Sequence, residues 1–159
     1  MTSFRLHSEP LQDAWRDAYG HLNEAYYLVP FSNATWKLQD QFSLGTAYFD
    51  ETGCALYTVE THLRYLDEVR GPAEIEIESL ILGVDAKKVQ VGHIMHVDGG
   101  VRATFECLML HYDTRQGSTA PFPDAALEAM RKAVPDPLPD WAGRAVKQLG
   151  GGVGRGKDS

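Results

Sequence analysis

The sequence predicts an α+β fold in which a single antiparallel sheet packs against one long helix. Four segments between residues 56 and 113 alternate apolar and polar residues with a period of two, which is typical of antiparallel strands with one buried face. A segment that precedes them repeats its apolar residues at helical spacing. The 159 residues suit one domain with its own hydrophobic core.

The N-terminal part predicts a short strand followed by the long helix. Residues 4–9 have the pattern of a strand, and Pro10 ends it. After a loop, the apolar residues recur three or four positions apart: Tyr27, Phe31, Ala34 and Leu38. Asn23 is a suitable N-cap for this helix. Pro30 conflicts with it, because proline lacks an amide hydrogen and is expected to kink the helix or split it.

The rest of the chain predicts a four-stranded meander and a C-terminal helix. Residues 43–54 are expected to form a loop. The strand-like segments then follow with turns between them: 56–66, 74–82, 89–97 and 102–113. Residues 122–134 have an amphipathic helical pattern that begins near Asp124. We therefore predict a sheet-and-helix domain over 1–115, a helical extension over 116–148 and a flexible Gly-rich tail over 149–159.

Composition limits the possible functions. The net charge of -7 argues against a nucleic-acid-binding protein, which depends on clustered Lys and Arg. The chain shows neither a signal-peptide pattern at its start nor an apolar run long enough for a membrane span, so we expect a cytoplasmic protein without a membrane partner. Cys54 and Cys107 lie far apart and the six histidines are scattered, so no metal site is predicted.

The residues between the first strand and the helix carry the chemistry. They read DAYGHLNEAYY, residues 17–27, and place Asp17 shortly before a predicted helix N-terminus. Unpaired amides at a helix start can stabilise an oxyanion, and a nearby carboxylate can attack a carbonyl or activate water. From the residues alone, the more ordinary interpretation is that Asp17 caps a turn.

This motif and the order of elements resemble the hotdog-fold acyl-CoA thioesterases of the 4-hydroxybenzoyl-CoA thioesterase type. The resemblance covers residues 4–115, and the family motif is Asp-x-x-Gly-His-hydrophobic-Asn-Asn-x-x-Tyr. Its matching positions here are Asp17, Gly20, His21, Leu22, Asn23 and Tyr27, and Glu24 stands in place of the second Asn. The resemblance implies a hotdog fold, with the sheet wrapped around the central helix. It also implies an acyl-CoA substrate, no cofactor because CoA is part of the substrate, and a homodimer or tetramer with its site at the subunit interface.

The same resemblance assigns roles to individual residues. Asp17 is the expected catalytic carboxylate, as nucleophile or as general base, and the Glu24 amide is the expected oxyanion donor. His21 and Asn23 complete the predicted catalytic loop, and Gly20 is expected to allow close approach of the acyl group. On the second predicted strand, Glu60 is a further catalytic candidate that a partner subunit could contribute. Arg64, on the same face, is a candidate for substrate binding.

Three longer stretches, HLNEAYYLVPFSNAT, LYTVETHLRYLDEV and ECLMLHYDT, look like the thioesterases associated with carnitine dehydrogenase, either as partner proteins or as a fused domain. That likeness implies betainyl-CoA as substrate and a functional link to carnitine dehydrogenase. A quaternary ammonium requires aromatic faces and a carboxylate. Glu24 is the predicted carboxylate, and the candidate aromatic residues are Tyr26, Tyr27, Trp36 and Tyr57.

Two alternative functions remain open at this point. A hotdog hydratase or dehydratase requires a catalytic His–Asp or His–Glu arrangement. A non-catalytic module that binds an acyl or quaternary ammonium ligand would keep the aromatic residues without needing Asp17. Several basic residues are candidates for contacts to the CoA phosphates: Lys87, Lys88, Arg102, Arg115 and Arg144.

Overall fold

An antiparallel sheet curves around one long helix, which confirms the predicted α+β class and the hotdog arrangement. The computed structural model describes residues 2–144 and Leu149. The strands are β1 (Phe4–Pro10), β2 (Cys54–Tyr65), β3 (Glu74–Val84), β4 (Lys88–Val97), β5 (Gly100–Asp113) and β6 (Ser118–Thr119). The α-helices are α1 (Leu28–Gln41), α2 (Thr46–Thr52) and α3 (Asp124–Ala133), and short 3-10 helices span Asp13–Trp15 and Glu24–Tyr26.

The strand order of the sheet is β1-β3-β4-β5-β2, with β6 paired to the end of β5. The predicted strands are present, but they do not form a simple four-stranded meander. Of the four predicted meander strands, β3, β4 and β5 pair in chain order, whereas β2 pairs with β5 at the far edge. Sequence alternation identifies strands but not their neighbours, because every antiparallel partner requires the same pattern.

The predicted apolar stripe of α1 is buried. Phe31 and Ala34 are fully buried and Leu38 is 2% exposed, so the helix packs its apolar face on the concave side of the sheet. The expected conflict at Pro30 does not arise. The helical segment is divided at Tyr27 rather than at the proline, and Pro30 lies in the first turn of α1, where an amide has no intrahelical acceptor.

A second helix replaces part of the loop predicted at residues 43–54. Helix α2 begins after Gly45 and is followed by Gly53, whose φ of 75° is the left-handed conformation common after helices. None of its residues is buried. The prediction was wrong because a seven-residue exposed helix has no apolar stripe from which a period can be recognised.

Strand β2 also departs from the prediction of one buried face. Its register with β5 shifts between Thr58 and Glu60, which interrupts the alternation. Tyr57, Val59 and Tyr65 are 45%, 54% and 51% exposed. As an edge strand, β2 has a hydrogen-bonding partner on one side only, so its apolar residues reach the surface.

The C-terminal residues cover the convex face of the sheet. Trp141 lies over Gly92, where an added Cβ would come within 2.7 Å of the indole ring. The Gly143 amide donates to Oε1 of Glu106 at 2.5 Å, and that glutamate is only 2% exposed. This segment therefore shields a buried carboxylate on the sheet's outer side. The predicted helix near Asp124 is confirmed as α3, whereas the predicted flexible tail lies outside the described residues, apart from Leu149.

Three rings form the centre of the interface between α1 and the sheet. Phe31 stacks on Phe105 and on His93, with centroids 5.1 and 5.9 Å away. His93 Nε2 and Nδ1 lie 2.8 Å from the hydroxyls of Thr35 and Ser79. Because the Thr35 hydroxyl donates to the Phe31 carbonyl, it accepts from Nε2–H, and Ser79 donates to Nδ1. Both ring nitrogens are satisfied by a neutral imidazole.

Cys54 and Cys107 are both free cysteines, and Cys107 is a buried core residue as predicted. Burial raises the pKa of the Cys107 thiol to about 12. Within residues 2–144 and Leu149, no helix has the length and apolar character needed to cross a bilayer.

His93 makes stability dependent on pH. Burial, with the nearby charge of His7, lowers its pKa from 6.5 to about 3. The unfolded chain takes up this proton below about pH 6.5 while the folded chain does not, so stability decreases as pH falls from 6.5 towards 3. We expect this residue to contribute up to about 1.4 kcal/mol per pH unit. Urea unfolding between pH 7 and pH 4 should show a smaller loss in His93→Gln than in the wild type. Parallel losses in the two proteins would contradict the prediction.

Candidate active site

A cleft of about 430 Å³ lies where the helical segment begins. One wall comes from the loop after β1 and the first helical turn, and the other comes from the residues that follow β2. Its lining residues are Asp17, His21, Leu22, Asn23, Glu24, Tyr27, Tyr65, Leu66, Asp67 and Glu68. The structure thus brings together five of the predicted site residues: Asp17, His21, Asn23, Glu24 and Tyr27.

Asp17 both closes a turn and borders the cleft. Its Oδ1 accepts hydrogen bonds from the amides of Tyr19 at 2.8 Å and His21 at 3.1 Å, which is the capping role expected from the residues alone. Its Oδ2 has no hydrogen-bond partner among the described residues. One oxygen therefore orients the carboxylate, and the other remains available for a reacting group.

The helix start offers an unpaired donor. Asn23 has an extended backbone, and its Oδ1 accepts from the Ala25 amide at 2.9 Å, so it caps the 3-10 turn as predicted. Its carbonyl accepts from the Tyr26 amide at 2.9 Å. In the part of the chain that the structure describes, the Glu24 amide has no acceptor. This is the amide that the motif assigns to the oxyanion.

The second wall was not predicted from the sequence. The Leu22 amide donates to the Val69 carbonyl at 2.8 Å, and this bond holds the segment after β2 against the catalytic loop. The Tyr65 hydroxyl donates to the Glu24 carbonyl at 3.0 Å, and its ring meets that of Tyr27 edge to face at 4.9 Å. These residues belong to a strand end and a turn, and no pattern in them indicates that they return to the helix start.

The two tyrosines that line the cleft, Tyr27 and Tyr65, have raised pKa values. Burial raises the pKa of Tyr27. Burial also raises the pKa of Tyr65, and the nearby Glu24 carboxylate raises it further. Both phenols therefore stay protonated at neutral pH and can act as hydrogen-bond donors.

The cleft carries excess negative charge. Of its four carboxylates, Asp67 pairs with Arg102 at 2.7 Å, and Glu68 lies 3.3 Å from Arg70 and 2.8 Å from Nε2 of His21. The contact to His21 lacks the alignment of a hydrogen bond. The other two carboxylates, those of Asp17 and Glu24, have no cationic partner among the described residues. A cation entering the cleft would therefore be attracted by unneutralised charge.

The remaining predicted residues lie outside this cleft. Gly20 has a φ of 80° and open space around it, which explains a glycine in the turn but places no acyl contact there. Trp36 and Tyr57 line a separate cleft of about 200 Å³ beside α2. Glu60 is exposed on β2, Arg64 is half-buried there, and neither borders the cleft of Asp17. Within one subunit, the predicted aromatic cage is therefore divided between two places.

Residues 11–130 match a family described as the thioesterase-like superfamily. The chain belongs to this superfamily. The betainyl-CoA thioesterase of Pseudomonas aeruginosa is 34% identical over 143 residues, which cover 86% of this chain and 90% of that protein. The L-carnitine dehydrogenase/betainyl-CoA thioesterase of Agrobacterium fabrum is 37% identical over 149 residues. These residues cover 91% of this chain but 31% of that protein, so the chain spans less than a third of this longer relative.

Solved structures agree with the family. A Pseudomonas putida protein described as a thioesterase superposes with a TM-score of 0.76 at 31% identity, covering 92% of this chain and 97% of its own. A Staphylococcus aureus protein in complex with CoA also has a TM-score of 0.76, at 19% identity, covering 85% of this chain and 89% of its own, which shows the shared fold. The predicted resemblance is confirmed, and the chain is a hotdog-fold member of the thioesterase-like superfamily.

The structure also has a larger cleft, of about 680 Å³, between the C-terminal end of α1, α2 and α3. It contains none of the predicted site residues. Carbonyl groups with partial negative charge lie at the C-terminal end of a helix, so that end of α1 does not favour a developing oxyanion. The cleft of Asp17 is the candidate active site because it contains both an oriented carboxylate and an unpaired amide donor.

Proposed function

We propose that this thioesterase hydrolyses betainyl-CoA to betaine and CoA in the cleft of Asp17. The observation that carries the proposal is that Asp17, oriented by two amides, shares this cleft with the unpaired Glu24 amide. The names of the Pseudomonas aeruginosa and Agrobacterium fabrum relatives support betainyl-CoA as the acyl-CoA. The uncompensated negative charge of the cleft suits an acyl group that carries a positive charge.

The Glu24 amide supplies the oxyanion donor. As the thioester carbonyl carbon becomes tetrahedral, its oxygen gains negative charge, and a fixed N–H stabilises it without reorganisation. One such donor is worth about 2.7–4 kcal/mol of transition-state stabilisation. The Asn23 cap holds the adjacent turn in place, because its side chain accepts from the Ala25 amide and its carbonyl accepts from the Tyr26 amide. Asn23 is therefore a positioning residue.

Asp17 supplies the negative group on the other side of the carbonyl. Through its free oxygen it either attacks the carbonyl carbon, giving an anhydride that water then hydrolyses, or removes a proton from the attacking water. In both routes the carbon–sulfur bond breaks, CoA leaves as a thiolate, and water supplies the oxygen of the product acid. His21 holds the loop through its backbone bonds to Asp17, and its ring contacts Glu68.

We propose a functional link to carnitine breakdown. In the Agrobacterium fabrum relative, the matching region is part of a longer protein whose name includes L-carnitine dehydrogenase. A dehydrogenase of this kind, acting upstream in the same route, is the proposed partner activity of this chain. Cytoplasmic location and the absence of a cofactor remain predictions.

Two substitutions at Asp17 separate catalysis from turn formation. Asp17→Asn keeps an oxygen that can accept from the Tyr19 and His21 amides but removes the charge, so we expect kcat/KM to fall by about 10²–10⁴-fold with little loss of stability. Asp17→Ala removes both turn bonds as well and should lower the free energy of unfolding by about 1–3 kcal/mol. Thiol release and urea unfolding measure the two effects. If Asp17→Asn released thiol as fast as the wild type, Asp17 would have only a structural role.

The substrate is tested with an isosteric pair. In tert-butylacetyl-CoA a carbon replaces the ammonium nitrogen of betainyl-CoA, so the two acyl groups share one shape and differ in charge. We expect the enzyme to prefer betainyl-CoA in kcat/KM by at least about tenfold, which corresponds to about 1.4 kcal/mol. Equal rates, or faster hydrolysis of the neutral ester, would refute the betainyl-CoA assignment while leaving a thioesterase.

We propose that the protein is a homodimer formed along the β2 edge. Among the described residues, β2 has no strand paired to its outer side. Its Tyr57 and Val59 are exposed, and Tyr57 lines a cleft together with Trp36 and Phe49. An apolar, unprotected edge of this kind favours pairing with a second strand. Such an interface would also cover Trp36 and Tyr57 and bring Glu60 and Arg64 near a second subunit. A tetramer would require a further interface.

Charge placed on this edge should separate the subunits. We expect Val59→Lys to give a monomer by light scattering, because a lysine would be buried against the partner strand. Val101→Lys is a matched control, since Val101 is 44% exposed on the interior strand β5 and precedes Ala103, the first β5 residue that pairs with β2. A wild-type protein that is already monomeric, or a dimeric Val59→Lys, would contradict this interface.

A further inference from the structure

The substrate chemistry restricts where its cation can lie, if the proposed function holds. In betainyl-CoA a single methylene joins the ammonium nitrogen to the thioester carbonyl carbon. With bond lengths of about 1.5 Å, the two atoms are only about 2.5 Å apart. A carbonyl placed between Asp17 and the Glu24 amide therefore keeps the trimethylammonium group in the same cleft. Trp36 and Tyr57 of the same subunit line a different cleft and do not border the cleft of Asp17.

We infer that the ring of Tyr65 and the carboxylate of Glu24 hold this ammonium group, which makes Tyr65 a specificity-determining residue. Tyr65 belongs to the cleft lining, and half of its surface is exposed. A quaternary ammonium has no N–H to donate, so an aromatic face and an unpaired carboxylate are the groups that recognise it. The other lining aromatic, Tyr27, is 4% exposed and offers little free face.

The position of Tyr65 is fixed from two sides. Its hydroxyl donates to the Glu24 carbonyl at 3.0 Å, so the phenol is attached to the residue whose amide serves as the oxyanion donor. Its ring packs perpendicular to the Tyr27 ring at 4.9 Å. The aromatic surface is therefore held beside the reacting carbonyl before substrate binds, and little conformational freedom is lost on binding.

The surrounding charges favour Glu24 over Asp67 and Glu68 as the partner of the cation, whereas Asp17 is assigned to the reaction itself. Arg102 pairs with Asp67, and Arg70 lies beside Glu68, so both of those carboxylates already have a cation within reach. Glu24 has no ion pair in residues 2–144. It also occupies the position where the family motif has an uncharged Asn, so a charge has been added at this point of the cleft.

The test uses the ratio of kcat/KM for betainyl-CoA to that for tert-butylacetyl-CoA, which is independent of the fraction of enzyme that is folded. Tyr65→Leu should lower this ratio by about 3–30-fold, the range of one cation–π contact. Tyr65→Phe keeps the ring and should retain most of the preference. Glu24→Gln keeps the backbone donor and should lower the ratio through loss of charge. Tyr19→Leu is the matched control, because the Tyr19 side chain is 82% exposed outside the cleft lining.

Fluorinated phenylalanine at position 65 gives a second measurement if Tyr65→Leu does not fold. Ring fluorination removes negative charge from the aromatic face while keeping its shape, so the ratio should fall progressively from phenylalanine to the fluorinated rings. An unchanged ratio in Tyr65→Leu, or in the fluorinated series, overturns the inference. A wild-type enzyme without any preference for betainyl-CoA defeats the proposed function instead, so the two failures are distinct.

Discussion

The packing of Phe31 between α1 and the sheet is the contact on which the rest of the structure depends. Phe31 is fully buried and stacks on Phe105 and His93, and Thr35, one turn further along α1, bonds the same histidine. These contacts fix the rotation and position of the helix over the sheet. Because the 3-10 turn leads directly into α1, they also fix where the Glu24 amide lies. The proposed oxyanion donor is therefore positioned by the core rather than by the loop.

The active-site cleft forms where two connections cross the end of the sheet. The loop after β1 supplies Asp17 and the helix start, and the connection after β2 supplies the opposite wall. A backbone bond from Leu22 to Val69 and the bond from Tyr65 to Glu24 hold the two together. The site is therefore built on bonds that the reaction does not consume, and its carboxylate and donor are oriented before substrate arrives.

The charge of the cleft acts in opposite ways on the acyl group and on the CoA phosphates of the proposed substrate. The negative cleft attracts a cationic acyl group but repels the phosphates of CoA, so these phosphates must lie outside it. Among the basic candidates for phosphate contacts, Arg102 is already paired with Asp67 beside the cleft. Lys87 lies in the turn between β3 and β4, and Lys88 is the first residue of β4. Both are exposed, so they remain candidates for a site outside the cleft.

The sequence alone determined the strands, the long helix and the Asp17-to-Tyr27 motif, because periodicity and capping act over a few neighbouring residues. It did not reveal the exposed helix α2, the bulge in β2 or the pairing of β2 with β5, since these depend on partners distant in the chain. It also grouped Trp36 and Tyr57 with the site and missed Tyr65, Asp67 and Glu68. Only the tertiary structure decided which side chains face Asp17, because sequence spacing cannot show where a later turn returns to an earlier one.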